Sequence, residues 1–312
     1  MTAEFAVATT TAVLSLLCTV ATAAASTNGD VNAHKYHIGQ RHSIIEDIYW
    51  DARRAAEAQR KLHQPSEGPI KDGGLRRLYD LWTPDYNCPF WKERVGDSGE
   101  GGRWVCGVRT LFEDRPCVVY SIGSNGDSSF EEEMLRRASC QVHTFDPFIE
   151  EGVKEKIRRT PGIQFHDWGT SHETAQTDEG VQMKSIQDTM RDLQHDWIDV
   201  LKVDIEGKEW DVLLSLLQYS GPGIHATQLL IELHFPAASS EILIWDTLQA
   251  LSQDNYRLFS VEPNVHSGAA TEYAEFSFIK VSPDGHVCLP RNGADEGFGL
   301  PYGCLRQSDG QS

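Results

Sequence analysis

The stretch Val118-Val119-Tyr120-Ser121-Ile122-Gly123-Ser124-Asn125-Gly126-Asp127 constrains the fold more than any other part of the chain. Cys117 to Ile122 is short, apolar and β-branched, as a strand buried on both faces of a sheet must be. Gly123 and Gly126 then permit a tight turn and a close approach of backbone to a ligand. Ser128 or Ser129 can N-cap a helix whose first turn carries Glu131, Glu132 and Glu133, with Leu135 and Ala138 placed to face the sheet. The next apolar run, Val142-His143-Thr144-Phe145, closes on Asp146, 23 residues after Gly123. An open α/β sheet holds a nucleoside at its C-terminal edge with these parts in this order, the acid taking the ribose hydroxyls. A plain buried βα unit is the alternative.

The residues missing from the turn narrow the nucleoside. A dinucleotide fingerprint wants glycine at the first, third and sixth positions, and here those hold Gly123, Asn125 and Ser128. A phosphate-cradling loop needs a Gly-Lys-Ser/Thr ending, and this turn has no cation. It carries Asp127 and the glutamates instead, a field that repels a pyrophosphate and tolerates a cationic ligand. S-adenosylmethionine, with its sulfonium, ammonium and ribose, suits Gly123, Ser124, Asn125, Gly126, Asp127 and Asp146. The acids can equally answer the dipole of the helix they begin.

The fragments Gly101-Gly102-Arg103-Trp104-Val105-Cys106, VVYSIGSNGDSSFEEEML, VHTFDP, WIDVLKVDIEGKEWDVL, LLIELHF and VEPN resemble the class I methyltransferase domain of the methyltransferase-like protein 24 group, and more distantly FkbM-type O-methyltransferases. The resemblance spans roughly residues 76 to 282. It implies a Rossmann-like α/β fold, a seven-stranded, mostly parallel sheet with helices on both faces and an antiparallel last strand. It also implies S-adenosylmethionine across the C-terminal edge. In such enzymes the loop after the third strand contacts the adenine, which here gives Asp167 the exocyclic amine and places Trp168 near the ring; a turn residue and a core tryptophan are the alternatives.

Downstream, Ile198 to Ile205 reads as a fourth strand with Asp204 and Glu206 at its end, followed by Gly207 and a helix marked by Trp210, Val212, Leu213, Leu216 and Leu217. Two carboxylates two residues apart at a strand's end point the same way into the ligand crevice. They can orient an acceptor, take its proton or share a hard cation; otherwise Glu206 caps the helix and Lys202 pairs with an acid. Gln228 to Phe235 gives a fifth strand with His234 at its carboxyl end, placed as a general base, although single histidines are commonly structural. Ser239 to Leu251 is a core helix by spacing, and Tyr256 to Val261 and Glu272 to Val281 are the last strands, joined by a loop containing Glu262, Pro263 and Asn264. Because a hydroxyl needs proton removal more than an amine does, Asp204, Glu206 and His234 together suggest O-methylation. A cofactor-binding pseudoenzyme is the second reading. A nicotinamide oxidoreductase is third, opposed by the missing glycines.

A chain of 312 residues holds one α/β domain of about 200 residues plus extensions. Its formal net charge of −18, without a basic stripe, argues against nucleic-acid partners and leaves a small molecule, sugar or protein side chain as acceptor. Ala12 to Val20 is an apolar run leading to Ala21-Thr22-Ala23-Ala24-Ala25, so residues 1–25 read as a signal peptide or, failing cleavage, a signal anchor that would tie the protein to a membrane. A transit peptide ranks third, since the segment has no Arg. A secreted or lumenal protein follows. Six cysteines then remain, Cys88, Cys106, Cys117, Cys140, Cys288 and Cys304, enough for three disulfides, although Cys117 and Cys140 can also be buried thiols. No CxxC-type spacing supports a zinc site.

The remaining segments set the domain limits. Residues 26–75 read as a helical extension and linker, with Ser43 to Gln64 an amphipathic helix (Ile44, Ile45, Ile48, Tyr49, Ala52) that packs on the domain or on a partner and Gln64 to Gly74 a Pro/Gly-rich connection. Asp97 to Gly102 reads as a flexible segment, 76–288 as the domain and 289–312 as a tail without stable structure.

Overall fold

The computed structural model describes residues 44–55, 58, 82–84, 86–112, 115–218, 223–235, 241–263, 273–282 and 286–290. The leader, the 64–74 connection and the tail beyond Pro290 lie outside them. Strands β3 (Cys117–Ile122), β4 (Cys140–Phe145), β5 (Ile163–His166), β9 (Ile198–Val203), β10 (Ala226–His234), β11 (Tyr256–Pro263) and β12 (Tyr273–Lys280) form one sheet in the order β11-β12-β10-β9-β3-β4-β5. The five strands from β10 to β5 run parallel, and β12 lies antiparallel between β10 and β11. This is the Rossmann-like sheet that the resemblance implies. Strand order reverses between β3 and β9, which opens a crevice at their carboxyl ends.

The strands are apolar throughout because both faces are covered. Tyr120, Leu201, Leu229 and Ile231 join one core with the helices Ile186–Leu193, Glu209–Gln218 and Glu241–Gln253. Their neighbours Val119, Val200 and Leu230 join a second core with the helices Val108–Phe112 and Ser129–Arg137. Each buried aliphatic side chain contributes roughly 1.5–3 kcal/mol. One patch of the first face is polar: His143 Nδ1 meets His166 Nε2 at 2.9 Å, and the Tyr120 hydroxyl meets His195 Nδ1 at 2.8 Å. Burial, followed by the charges of His166 and His195, holds the His143 pKa down at about 3; burial and then Lys184 hold His166 at about 4.

Several elements differ from the sequence reading. Asp97 to Gly102 connects β1 (Lys92–Val95) to β2 (Arg103–Cys106) in an antiparallel hairpin. The connection is pinned: the Gly96 N–H donates to Glu133, the Asp97 N–H donates to Ser129 Oγ at 3.1 Å, and Arg94 donates to the carbonyl of Gly102 at 3.2 Å. Gln228 bonds both backbone groups of Cys106, at 2.8 and 2.7 Å, and so ties the hairpin to β10. Glu262 and Pro263 end β11 rather than forming a loop. A second small sheet, β6 (Gly169–Thr170), β7 (Ala175–Gln176) and β8 (Gln182–Lys184), follows β5.

The helix over 44–55 packs on the domain through only part of the face read from the sequence, with Ile45 and Tyr49 against the second core. Ile44 and Ile48 are more than half exposed, and Glu46, Tyr49 and Arg53 are buried. The reason is Arg257, a buried arginine on β11 whose Nε donates to Glu46 at 3.0 and 3.1 Å. Arg53 meanwhile lies 3.8 Å over the Trp82 ring. Cys88 is bonded to Cys106 and Cys117 to Cys140, and Cys288 is disulfide-bonded as well. Cys117 and Cys140 face one another in the β3–β4 register, so they are not free thiols.

Candidate active site

A cavity of about 620 Å³ opens at the carboxyl ends of β3, β4, β9 and β10. Gly123, Ser124, Asn125, Asp127, Asp146, Asp204, Glu206 and His234 all line it. Gly126, Asp167 and Trp168 do not. Gly126 packs beside Val153, and the Asp167 carboxylate is held by Lys154 at 2.8 Å and Arg158 at 3.4 Å. Trp168 sits beside the His166 and Phe145 rings, at 4.5 and 5.8 Å between centroids, with Lys184 Nζ 4.1 Å above it. The helix Glu151–Arg158 supplies both cations that turn Asp167 away, a packing that the local sequence does not display. Gly169, Thr170 and Met183 of the small sheet line that side instead.

The turn after β3 is built around close contact. Gly123 adopts φ +76°, and a Cβ there would stand 1.6 Å from the Asp204 carbonyl oxygen. Only glycine lets the ends of β3 and β9 approach this closely. Asp146 secures the turn from the neighbouring strand: its carboxylate accepts from the N–H groups of Asn125 (2.8 Å) and Phe148 (3.1 Å) and from Ser124 Oγ (3.4 Å). An ionised carboxylate has about four acceptor positions, so one remains for a hydroxyl from the cavity. Asp127 Oδ1 accepts from the Ser129 N–H at 2.8 Å and so caps the following helix. Ser128 occupies the N-cap position, but its hydroxyl donates to Glu132 at 2.7 Å. Glu131 is fully buried against the sheet rather than facing solvent, and burial raises its pKa against the opposing pull of Lys202.

Opposite the turn, Asp204, Glu206 and His234 converge, each with one donor atom within 4.8 Å of the others. Strand alternation does not bring the two acids together. β9 ends at Val203, and Glu206 turns back through φ +54°. The turn is held by Glu209, a fully buried carboxylate that accepts from the N–H groups of Ile205 (2.8 Å) and Gly207 (3.0 Å). Glu209 also meets His234 Nδ1 at 3.1 Å. A carboxylate only accepts, so Nδ1 carries the proton and Nε2 faces Glu206, at 3.4 Å. Burial lowers the His234 pKa, but the hydrogen bond and charge of Glu209, with Asp204 and Glu232 behind it, outweigh burial and raise it. The Tyr273 ring stacks on the imidazole, 5.2 Å between centroids.

Arg103 holds the floor of this end. Its guanidinium is fully buried and donates to Asp204 at 2.9 Å, Glu232 at 3.1 Å and Glu275 at 2.7 Å. One cation serving three acids leaves Glu275 poorly compensated, and burial pushes its pKa up to about 8 despite Arg103. Lys202, also buried, donates to the carbonyl of Gly123 at 3.3 Å and so links the turn to β9. Sequence reading missed the roles of Arg103, Glu209, Glu232 and Glu275. The available signal was the presence of charged residues inside runs otherwise patterned for burial.

Residues 32–280 match a family described as methyltransferase domain. The chain belongs to this methyltransferase family. It is similar to the probable methyltransferase-like protein 24 of Rattus norvegicus, 27% identical over 229 residues covering 63% of this chain and 60% of the relative. The Homo sapiens protein of the same name is 28% identical over 165 residues, 47% of this chain and 43% of that one. The chain therefore spans less than two thirds of either relative. Among solved structures, methyltransferase FkbM from Methylobacillus flagellatus KT aligns with TM-score 0.37 and 16% identity over 74% of this chain and 60% of its own. Fibrillarin from Aeropyrum pernix, in complex with S-adenosyl-L-methionine, aligns with TM-score 0.34 and 9% identity over 54% and 67%.

Proposed function

We propose that this methyltransferase uses S-adenosylmethionine to methylate a hydroxyl of a small molecule, sugar or protein side chain in the secretory pathway. The observation that carries the reading is the convergence, on one cavity, of the glycine turn with Asp146 and of Asp204, Glu206 and His234. The turn fits the donor: glycine is sterically required at 123, no cation stands in the turn, and the adjoining acids Asp127 and Asp146 favour a positively charged ligand.

When bound, S-adenosylmethionine supplies a methyl group made electrophilic by its sulfonium. Asp146 would hold the ribose hydroxyls, and Gly123 to Asn125 the backbone side of the donor. Asp204, Glu206 and His234 orient the acceptor and promote loss of its hydroxyl proton, with Glu209 fixing the imidazole and Arg103 fixing Asp204. The disulfides support an oxidising compartment, as does the apolar leader. No helix among the described residues is long and apolar enough to cross a membrane.

The test is calorimetric titration of the full chain with S-adenosylmethionine, on wild type and Asp146→Ala. Binding that weakens at least tenfold in the variant, about 1.4 kcal/mol, is the expected result. No heat in the wild type, or equal affinity in both, sinks the reading. Incubation with labelled donor and fractionated secretory extract then identifies the acceptor class, and donor binding without any transfer would favour a pseudoenzyme.

A further inference from the structure

We propose that Asp204, Glu206 and His234 form a binding site for a divalent metal ion. The inference rests on the methyltransferase reading and specifies how the acceptor end works. Two carboxylates and one imidazole make a mixed oxygen and nitrogen donor set, suited to Mn²⁺, Fe²⁺ or Zn²⁺ and leaving positions open for an acceptor. Donors around such an ion stand about 2.0–2.2 Å from it, so any two lie at most about 4.4 Å apart. The three atoms are already within 4.8 Å of one another, and the Glu206 side chain, 80% exposed, is free to close the remainder.

The surroundings support a cation independently of that spacing. Glu209 accepts the hydrogen bond of His234 Nδ1–H, the arrangement by which a carboxylate directs the other ring nitrogen of a metal-binding histidine. Arg103 takes Asp204 Oδ2, leaving Oδ1 without a hydrogen bond among the described residues. The β10–β12 register pairs Glu232 with Glu275 and His234 with Tyr273, so all four side chains share one face of the sheet, on which Glu232, His234 and Tyr273 line the cavity. On that side Glu275 Oε2 is buried with no hydrogen-bond partner. Glu232 and Glu275 are buried behind the trio and share the one guanidinium of Arg103 with Asp204, while Glu209 is buried against His234; this end of the cavity gathers more acids than cations, which favours a positive ion in front of them. Lys202 and Lys208 line the cavity as well, but neither pairs with the trio among the described residues. An acceptor hydroxyl bound to the ion would lose its proton more readily, as metal-bound water does.

The experiment uses the full chain with disulfides intact, stripped with EDTA and titrated with Mn²⁺ alone and with Zn²⁺ alone, followed calorimetrically and, for Mn²⁺, by its electron-spin signal. One ion per chain is expected, with affinity falling at least tenfold in Glu206→Gln and lost in His234→Ala. Glu206 is exposed, so its variant should keep the wild-type melting temperature and report on the ion alone. Binding of neither metal, or affinity unchanged in both variants, overturns the proposal. S-adenosylmethionine titrated into the same samples separates the two readings. Donor binding without metal binding removes only the ion, and absence of donor binding removes the methyltransferase reading.

Discussion

Replacing Gly123 by alanine tests whether the turn is glycine because of its dihedral angle or because of the strand beside it. Two costs are separable. The residue has φ +76°, and placing an L side chain in that region costs about 1–2 kcal/mol. A Cβ would also stand 1.6 Å from the Asp204 carbonyl oxygen, so the ends of β3 and β9 must move apart, an overpacking cost of roughly 1–3 kcal/mol more. Gly180 provides the control, since it has φ +82° but nothing within 4 Å of where a Cβ would stand. Gly180→Ala should therefore show the first cost and Gly123→Ala both. For a domain of this size the difference of about 1–3 kcal/mol corresponds to roughly 2–12 °C in melting temperature, measured under non-reducing conditions. Displacing Asp204 also separates it from the guanidinium of Arg103, so Gly123→Ala should lose S-adenosylmethionine binding while Gly180→Ala keeps it. Equal melting temperatures for the two variants, or unchanged donor affinity in Gly123→Ala, would refute the close-approach argument.

Two further outcomes are expected. Arg103→Met strands the buried Glu232 and Glu275 and the half-buried Asp204 and should cost about 3–5 kcal/mol in urea unfolding at pH 7.5; a cost below about 1 kcal/mol would contradict the network of three acids on one guanidinium. His143 and His166 are held neutral, at about 3 and about 4 against roughly 6.5 in an unfolded chain. On acidification the unfolded chain takes up their protons first, so their contribution is complete above about pH 7 and drains as pH falls from 6.5 towards 4, by up to about 1.4 kcal/mol per unit for each ring. Stability of His143→Phe measured against pH should show a slope smaller by about one proton between pH 6 and 5, and an identical slope would remove this account.

What could be read from the sequence was what is local in the chain. Val118 to Asp127, Asp146 and Asp204 could be placed because a strand, a turn and a strand end are each written in a few consecutive residues. Arg103 could not: its three partners stand just past the end of β9 and on β10 and β12, and only the sheet order brings them together. The place of Asp167 off the cavity wall was hidden for the same kind of reason, since Lys154 and Arg158 reach it from a separate helix. Glu46 and Arg53 rotated the buried face of their helix away from Ile44 and Ile48 because Arg257 and Trp82, far along the chain, gave the charges a buried place to go. Glu206 reached the cavity as expected, but by a left-handed turn held by Glu209 rather than by strand alternation.

The hairpin that delivers Arg103 also fixes where a working fragment must begin. The seven-stranded sheet starts in sequence at Cys117, and a piece cut there would retain every sheet strand and the whole glycine turn. It would lack the guanidinium that seats Asp204, the Glu100 and Gly101 part of the cavity wall and the Cys88–Cys106 bond that closes the hairpin. The smallest portable form of this site starts at or before Cys88, ahead of the sheet on which the site stands.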